Sequence, residues 1–326
     1  CKIPSAKPIW NGFCIVTVKV LNSYNNSFPD PAFQTPDSFY LYGVSQRKYQ
    51  YSANIHTMLL SYLVPVVISI FIFIVKLKST LTFYISYCII PYMRGTIRSK
   101  DIFVCYEEIK ELVDNGYQEV VLTGIHTGSY GTLEDYDLVD LIRRISTLDK
   151  LKRIRISSIE ITELDDKFME ELRVNKKICN HLHIPIQSGS DHILKLMNRK
   201  YNVGEFINII DKIRSIRPDI NITTDLIVGF PHETDEDFNE TISNLKKIGF
   251  SKIHTFPYSK RDNTPAANME QVKDSIKKER VDVILKLSDE LENIYYNKFL
   301  DKDIEVLVEE SYKDKSIGHT DNYLKV

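Results

Sequence analysis

The feature that most constrains the fold is a regular alternation of short apolar runs and amphipathic segments between residues 105 and 299. The apolar runs have the β-branched composition of buried strands, and they cover residues 119–124, 153–157, 181–186, 222–228 and 252–256. The segments between and after them carry apolar residues at helical spacing, and they cover residues 105–115, 135–147, 164–174, 190–197, 203–216, 235–248 and 270–299. With a further strand at 72–78, six strands alternate with helices. This order predicts an α/β chain whose parallel sheet curls into a full or partial barrel.

Small and polar residues follow the predicted strands at the points where the strands end. These residues are Thr123, Gly124, Ser158, Glu160, Gln187, Ser188, Asp225 and Gly229. The active groups of a parallel barrel gather at the carboxyl ends of its strands, where glycine and small hydroxyl residues let the backbone approach a ligand. Turns and helix caps use the same residue types, and Ser190, Thr234 and Asp235 are good cap residues. Because four such loops share one rim, the sequence favours a ligand site there.

Charge and cysteine content limit the classes of function. The formal net charge is -2 at pH 7, so the chain has no global positive field, and any contact with RNA must come from local basic patches. The five cysteines are an odd number without close repeats, which favours reduced thiols over a disulfide framework. We therefore expect a cytoplasmic location.

The first 75 residues differ in composition from the rest. Residues 1–57 show no sustained period, so no element is predicted there. Residues 58–75 contain no charge and are long enough to cross a bilayer as a helix. Pro65 interrupts this segment, and its β-branched second half would also serve as a buried strand. A membrane-anchored protein therefore stays open as an alternative to a soluble cytoplasmic one.

Six segments of the chain carry a resemblance to a known family. They are YCIIPYMRG (87–95), LTGIHTGSYG (122–131), RISSIE (155–160), HLHIPIQSGSDHILKLMNRKY (181–201), TTDLIVGFPHETDEDF (223–238) and FPYSKRDNTPAA (256–267). They are similar to successive blocks of the radical S-adenosylmethionine methylthiotransferase family, in the family's order and spacing. The resemblance covers roughly residues 74–326. Residues 258–267 and 318–326 look more like the branch that acts on threonylcarbamoyladenosine beside the tRNA anticodon than like the isopentenyladenosine or ribosomal-protein branches.

The resemblance implies a radical SAM partial (β/α)6 barrel and a reaction. A Cys-x3-Cys-x2-Cys loop in the family holds a four-iron four-sulfur cluster, since such clusters need thiolate ligands. The cluster cleaves S-adenosylmethionine to a radical, and a methylthio group is inserted at C2 of the tRNA adenosine, with electrons from a donor such as flavodoxin or ferredoxin. The rim residues, together with Arg199, are then expected to bind S-adenosylmethionine.

The sequence departs from the family at the cysteine loop. Cys88 matches the third cluster ligand, but Leu81 and Ile85 stand at the positions of the other two, and neither side chain binds iron. Cys105 and Cys179 are better explained as small buried apolar residues. The family's N-terminal domain is not recognisable in residues 1–73. The chain therefore resembles a methylthiotransferase with an impaired cluster site, and a non-catalytic RNA-binding derivative is the alternative.

The sequence also suggests where RNA would bind. Residues 304–310 and 318–326 resemble the first strands of the small RNA-binding TRAM barrel, which gives three expected regions: 1–73, a barrel at 74–300, and a partial TRAM module at 301–326. A basic group next to the rim is the first candidate contact, and it comprises Arg94, Arg98 and Lys100. A weaker candidate lies on the long last helix, and it comprises Lys273, Lys277, Lys278 and Arg280.

Overall fold

A computed structural model describes residues 17–21, 85–90, 93, 97–312 and 315–326. The predicted strand at 72–78 and the apolar segment 58–75 lie outside these residues. Within the part of the chain that is described, no helix is both long and apolar enough to cross a bilayer. The described residues form one compact unit.

The described elements follow the predicted alternation closely. The strands are β1 (Thr17–Leu21), β2 (Glu119–Thr123), β3 (Arg153–Ile156), β4 (His181–His183), β5 (Asn221–Val228), β6 (Lys252–Pro257), β7 (Val306–Tyr312) and β8 (Lys315–Thr320). The helices are α1 (Ile102–Asp114), α2 (Leu138–Ser146), α3 (Asp166–Val174), α4 (Asp191–Leu196), α5 (Val203–Ile216), α6 (Asp235–Ile248) and α7 (Asp274–Asn297).

Strands β2 to β6 run parallel and make the wall of a partial barrel. β2 pairs with β3, β4 with β5 and β5 with β6, all in parallel register. Bridges from Ile154 to Ile178 and from Ser158 to His183 continue the wall from β3 to β4. β1 adds an antiparallel strand beside β2. The predicted α/β class and partial barrel are confirmed, since each parallel strand is followed by a helix that returns to the sheet.

Local sequence explains where the helices begin. Asp101 caps α1, because its carboxylate accepts the backbone N–H groups of Phe103 and Val104. Thr234 and Asp237 form a capping box at the start of α6. Ser190 stands at the N-cap of α4, but its hydroxyl donates to the Asp237 carboxylate instead, at 2.7 Å. This bond ties the start of α4 to the start of α6.

A C-terminal segment closes the amino end of the barrel. β7 and β8 form an antiparallel hairpin, and the chain then turns back toward the first residues of the barrel strands. Arg155 of β3 donates to the carbonyls of Thr320 and Asp321 at 3.2 and 3.1 Å, and to the Glu119 carboxylate at 2.6 Å. The Arg155 guanidinium also lies 4.7 Å from the centre of the Tyr323 ring. The floor of the barrel is therefore polar, and residues 320–323 cover it.

Candidate functional site

Four side chains form a connected hydrogen-bond network at the carboxyl rim of the barrel. Arg199 donates through one nitrogen to the Glu160 carboxylate and through the other to the Tyr87 hydroxyl, at 2.6 Å. Tyr87 donates in turn to the Gln187 side-chain carbonyl at 3.0 Å. We call Glu160, Arg199, Tyr87 and Gln187 the rim network. Three of its members were expected from the sequence, and the next residue along the chain from Tyr87 is Cys88.

Packing holds Tyr87 and the loop before Cys88 in place. The Tyr87 ring meets Phe230 edge-on, with ring centres 5.8 Å apart. The backbone N–H of Ser86 donates to the carbonyl of Met197 at 3.1 Å, and the Ser86 carbonyl accepts from the N–H of Ala266 at 2.9 Å. The loop is thus fixed on both sides by the end of α4 and by the turn at 265–268. Cys88 is half-buried at this fixed position.

Gln187 is placed by an unusual backbone conformation. Its φ angle is 64°, in the left-handed region that residues with a side chain rarely occupy. The Gln187 N–H donates to the carbonyl of Asp225 and its carbonyl accepts from the N–H of Ile227, both at 2.9 Å, so β5 holds it in this conformation. Such strain is concentrated at functional sites. Burial raises the pKa of Tyr87, against the opposing effect of Arg199, so the phenol keeps its proton and donates to Gln187.

The other expected rim residues divide into two groups. Thr123, Gly124 and Ser158 lie at the carboxyl ends of β2 and β3, and the bridge from Ser158 to His183 joins that rim to β4. Asp225 lies one layer deeper, where its carboxylate is 3.3 Å from the His183 ring. These residues line the same end of the barrel as the rim network.

Ser188 and Gly229 contact the protein itself. The Ser188 hydroxyl accepts the backbone N–H of Ser190 at 3.2 Å and is buried. Gly229 has a φ angle of 68°, donates its N–H to the Glu233 carboxylate at 2.6 Å, and would place a Cβ 2.3 Å from the Lys277 side chain. Because α7 approaches so closely, only glycine fits at position 229. This packing explains the residue without a bound ligand.

A family model for the radical SAM superfamily matches residues 86–245, the stretch that contains the whole rim network. Residues 86–245 form a radical SAM domain. The rim network lies at the carboxyl rim of the partial barrel of this domain.

Curated relatives of this radical SAM domain modify tRNA. The chain is 44% identical to the threonylcarbamoyladenosine tRNA methylthiotransferase MtaB of Bacillus subtilis over 77% of this chain and 57% of that protein. It is 42% identical to the Thermotoga maritima protein of the same name over 74% of this chain and 56% of that protein. It is also 42% identical to a tRNA-2-methylthio-N(6)-dimethylallyladenosine synthase of Acetivibrio thermocellus over 69% of this chain and 48% of that protein. The chain thus spans about half the length of the curated relatives it matches.

The residues of this radical SAM domain do not fit the cluster that the superfamily implies. Cys88 has Ile85, not cysteine, three positions before it, and among the described residues no three cysteine, histidine or acidic side chains converge to hold a metal ion. Cys105 is buried and lies 3.7 Å from the Tyr130 hydroxyl, which donates toward its sulfur. Burial raises the pKa of Cys179 to about 12, which keeps that thiol protonated. Neither cysteine replaces the missing thiolates.

The basic residues expected to touch RNA have different surroundings. Arg98 is exposed beside the rim, Lys100 forms an ion pair with Glu108, and Arg94 lies outside the described residues. On α7, Arg280 is buried and donates to the Glu233 carboxylate at 2.6 Å, and Lys277 is buried against Gly229. The expectation for these two α7 residues is therefore wrong, because both are buried and their charges are paired within the protein, Arg280 with Glu233 and Lys277 with Asp274. Lys273 and Lys278 are exposed.

Proposed function

We propose that this chain is a tRNA methylthiotransferase of the threonylcarbamoyladenosine branch whose barrel binds S-adenosylmethionine at the rim network. The observation that carries the proposal is the convergence of Glu160, Arg199, Tyr87 and Gln187 beside Cys88. The network offers a carboxylate, a guanidinium and an amide on one rim, which suits a ligand that carries an amine, a carboxylate and a ribose. The similarity to MtaB supports the branch.

The same proposal limits what the polypeptide does as it stands. Since Leu81 and Ile85 stand where two of the three thiolates are needed, we expect methylthio transfer at C2 of the adenosine to be impaired in this chain. The second candidate function, a non-catalytic RNA-binding derivative, is favoured by this departure alone. Iron content after anaerobic reconstitution separates the two: a full cluster in the unaltered chain would exclude the derivative.

The rim network is tested by replacing Tyr87 with phenylalanine. The ring would still pack on Phe230, but Arg199 and Gln187 would each lose a hydrogen-bond partner. We expect S-adenosylmethionine to bind about five- to tenfold more weakly, the effect of one lost hydrogen bond in a partly buried network. Equilibrium dialysis with labelled S-adenosylmethionine measures this. Tyr296→Phe, on the half-buried face of α7, is the matched control and should leave the affinity unchanged. Equal affinity in the Tyr87 variant would show that the ligand binds elsewhere.

A further inference from the structure

Three neighbouring strands direct polar side chains into the barrel below the rim network. In the register of the sheet, His183 of β4 lies opposite Thr223 of β5, and Asp225 of β5 lies opposite His254 of β6. Side chains alternate along a strand, so residues two apart on β5 face the same side. Leu226 and Ile253 face the helices and belong to the core, which leaves the other side of the wall for the histidines and Asp225.

Hydrogen bonds link these side chains in a series in which every donor points the same way. His183 Nε2 is 3.3 Å from the Asp225 carboxylate, and His183 Nδ1 is 2.9 Å from the Thr223 hydroxyl. The same hydroxyl is 3.2 Å from Nε2 of His181. A carboxylate only accepts, so the proton of His183 lies on Nε2, Thr223 donates to Nδ1, and His181 donates to Thr223. Every donor in this series therefore points toward Asp225, and consecutive hydrogen bonds of this kind polarise and strengthen one another.

The cationic side chains around Asp225 are paired with other acidic groups, so its carboxylate can still accept a hydrogen bond. Among the described residues its ion-pair partner is His183, which is charged only when protonated. Deeper in the barrel Arg155 is paired with Glu119, and at the edge Lys252 is paired with Glu292 of α7. The pKa of His254 is lowered by burial and by the neighbouring His183, so its ring is neutral at pH 7. The carboxylate is 32% exposed and still has lone pairs for an N–H donor.

The open side of this site lies along β6. Within the described residues β6 pairs with β5 and with no strand on its other edge. Phe256, two residues after His254 and on the same face, is 52% exposed. An exposed aromatic ring beside a polar cleft suits a nucleic-acid base that is turned out of its strand, because the base stacks on the ring while the backbone stays outside.

We propose that Asp225, His183 and His254, with Phe256 at the entrance, bind the target adenine of the RNA, with Asp225 accepting the one N–H that position 6 of the purine keeps when it carries the threonylcarbamoyl group. The inference rests on the proposed function and adds the base-binding residues to it. It assigns Asp225, which the resemblance placed among the S-adenosylmethionine-binding residues, to the RNA base instead, because Asp225 lies outside the rim network. His183 and Thr223 act as positioning residues that fix the Asp225 carboxylate. The site is distinct from a metal site, since no three ligating groups converge among the described residues.

The test uses the full chain and two fluorescent anticodon stem-loop RNAs, one with adenosine and one with purine riboside, which lacks the 6-amino group, at the target position. We expect the unaltered chain to bind the adenosine RNA about tenfold more tightly, the usual effect of a hydrogen bond to a charged acceptor. Asp225→Ala removes the acceptor, so it should abolish that preference and leave S-adenosylmethionine affinity unchanged. Asp262→Ala, at an exposed loop carboxylate, is the matched control and should retain the preference.

Variants at Phe256 and Thr223 test the base site even if the Asp225 variant does not fold. Phe256→Leu changes an exposed side chain, so the fold should survive, and it should weaken both RNAs about tenfold through lost stacking. Thr223→Val should reduce the preference for adenosine and Thr223→Ser should restore it, which a general loss of stability would not do. Retained preference in Asp225→Ala, or a loss of S-adenosylmethionine binding instead, would overturn the base site while leaving the proposed function intact. If the unaltered chain binds neither RNA, nor the same stem-loop with threonylcarbamoyladenosine at the target position, the proposed function itself fails.

Discussion

Arg155→Met is expected to lower the free energy of unfolding by about 3–5 kcal/mol, the usual cost of removing one member of a buried ion pair. Arg155 and Glu119 are both buried, and their side chains meet at 2.6 Å. Without Arg155, the one ion-pair partner that the Glu119 carboxylate keeps among the described residues is Arg153, whose nitrogen is 3.6 Å away. The carbonyls of Thr320 and Asp321 also lose the donors that hold the C-terminal segment on the barrel. Urea unfolding followed by circular dichroism measures the change.

Two controls identify the cause of that loss. Arg173→Met removes an exposed arginine of α3 and should cost less than about 1 kcal/mol. The double variant Glu119→Leu with Arg155→Met should recover part of the loss, because no unpaired charge remains buried. A single variant as stable as the unaltered protein would show that the C-terminal segment does not depend on Arg155. Faster proteolysis after residue 312 in Arg155→Met would confirm that this segment has been released.

The alternation of strands and helices was predictable because each element carries its own periodicity. Helices α5 and α6 begin and end where the sequence pattern placed them. β4 is shorter than the predicted run 181–186, and the reason is local. Pro185 has no N–H, and Ile186 donates to the Thr224 hydroxyl at 2.8 Å instead of to a backbone carbonyl. Side-chain bonds of this kind depend on a neighbouring strand, so the pattern of one segment does not contain them.

The site was predictable only in part. Strand ends identified Glu160 and Gln187, since parallel strands bring their carboxyl ends together. Tyr87, which connects Arg199 to Gln187, was missed even though it stands next to Cys88, because its role arises from a contact between residues 100 positions apart. The sequence pattern of Lys277 and Arg280 is typical of a solvated basic face, yet both are buried, Lys277 against Gly229 and Arg280 against Glu233 in the loop between β5 and α6. Charge patterns do not show which side chain has a buried partner.

The double variant Leu81→Cys with Ile85→Cys is expected to take up iron, from essentially none to about four iron atoms per chain after anaerobic reconstitution, as a four-iron four-sulfur cluster requires. The two changes restore the Cys-x3-Cys-x2-Cys spacing that ends at Cys88. The third ligand position already exists, because the backbone bonds of Ser86 to Met197 and Ala266 fix the loop beside the rim network. Iron and sulfide assays with the visible absorption spectrum measure the uptake.

The controls for the expected iron uptake depend on which side chains can bind iron. Leu81→Ser with Ile85→Ser introduces polar side chains of similar size to cysteine at the same positions and should bind no cluster, since iron–sulfur clusters need thiolates. Adding Cys88→Ser to the cysteine variant should abolish uptake, whereas adding Cys105→Ser should not, because Cys105 lies against Tyr130 in the core. Iron uptake that survives Cys88→Ser would place the cluster elsewhere in the chain. No uptake in the cysteine variant would mean that the loop does not align with the family's cysteine motif.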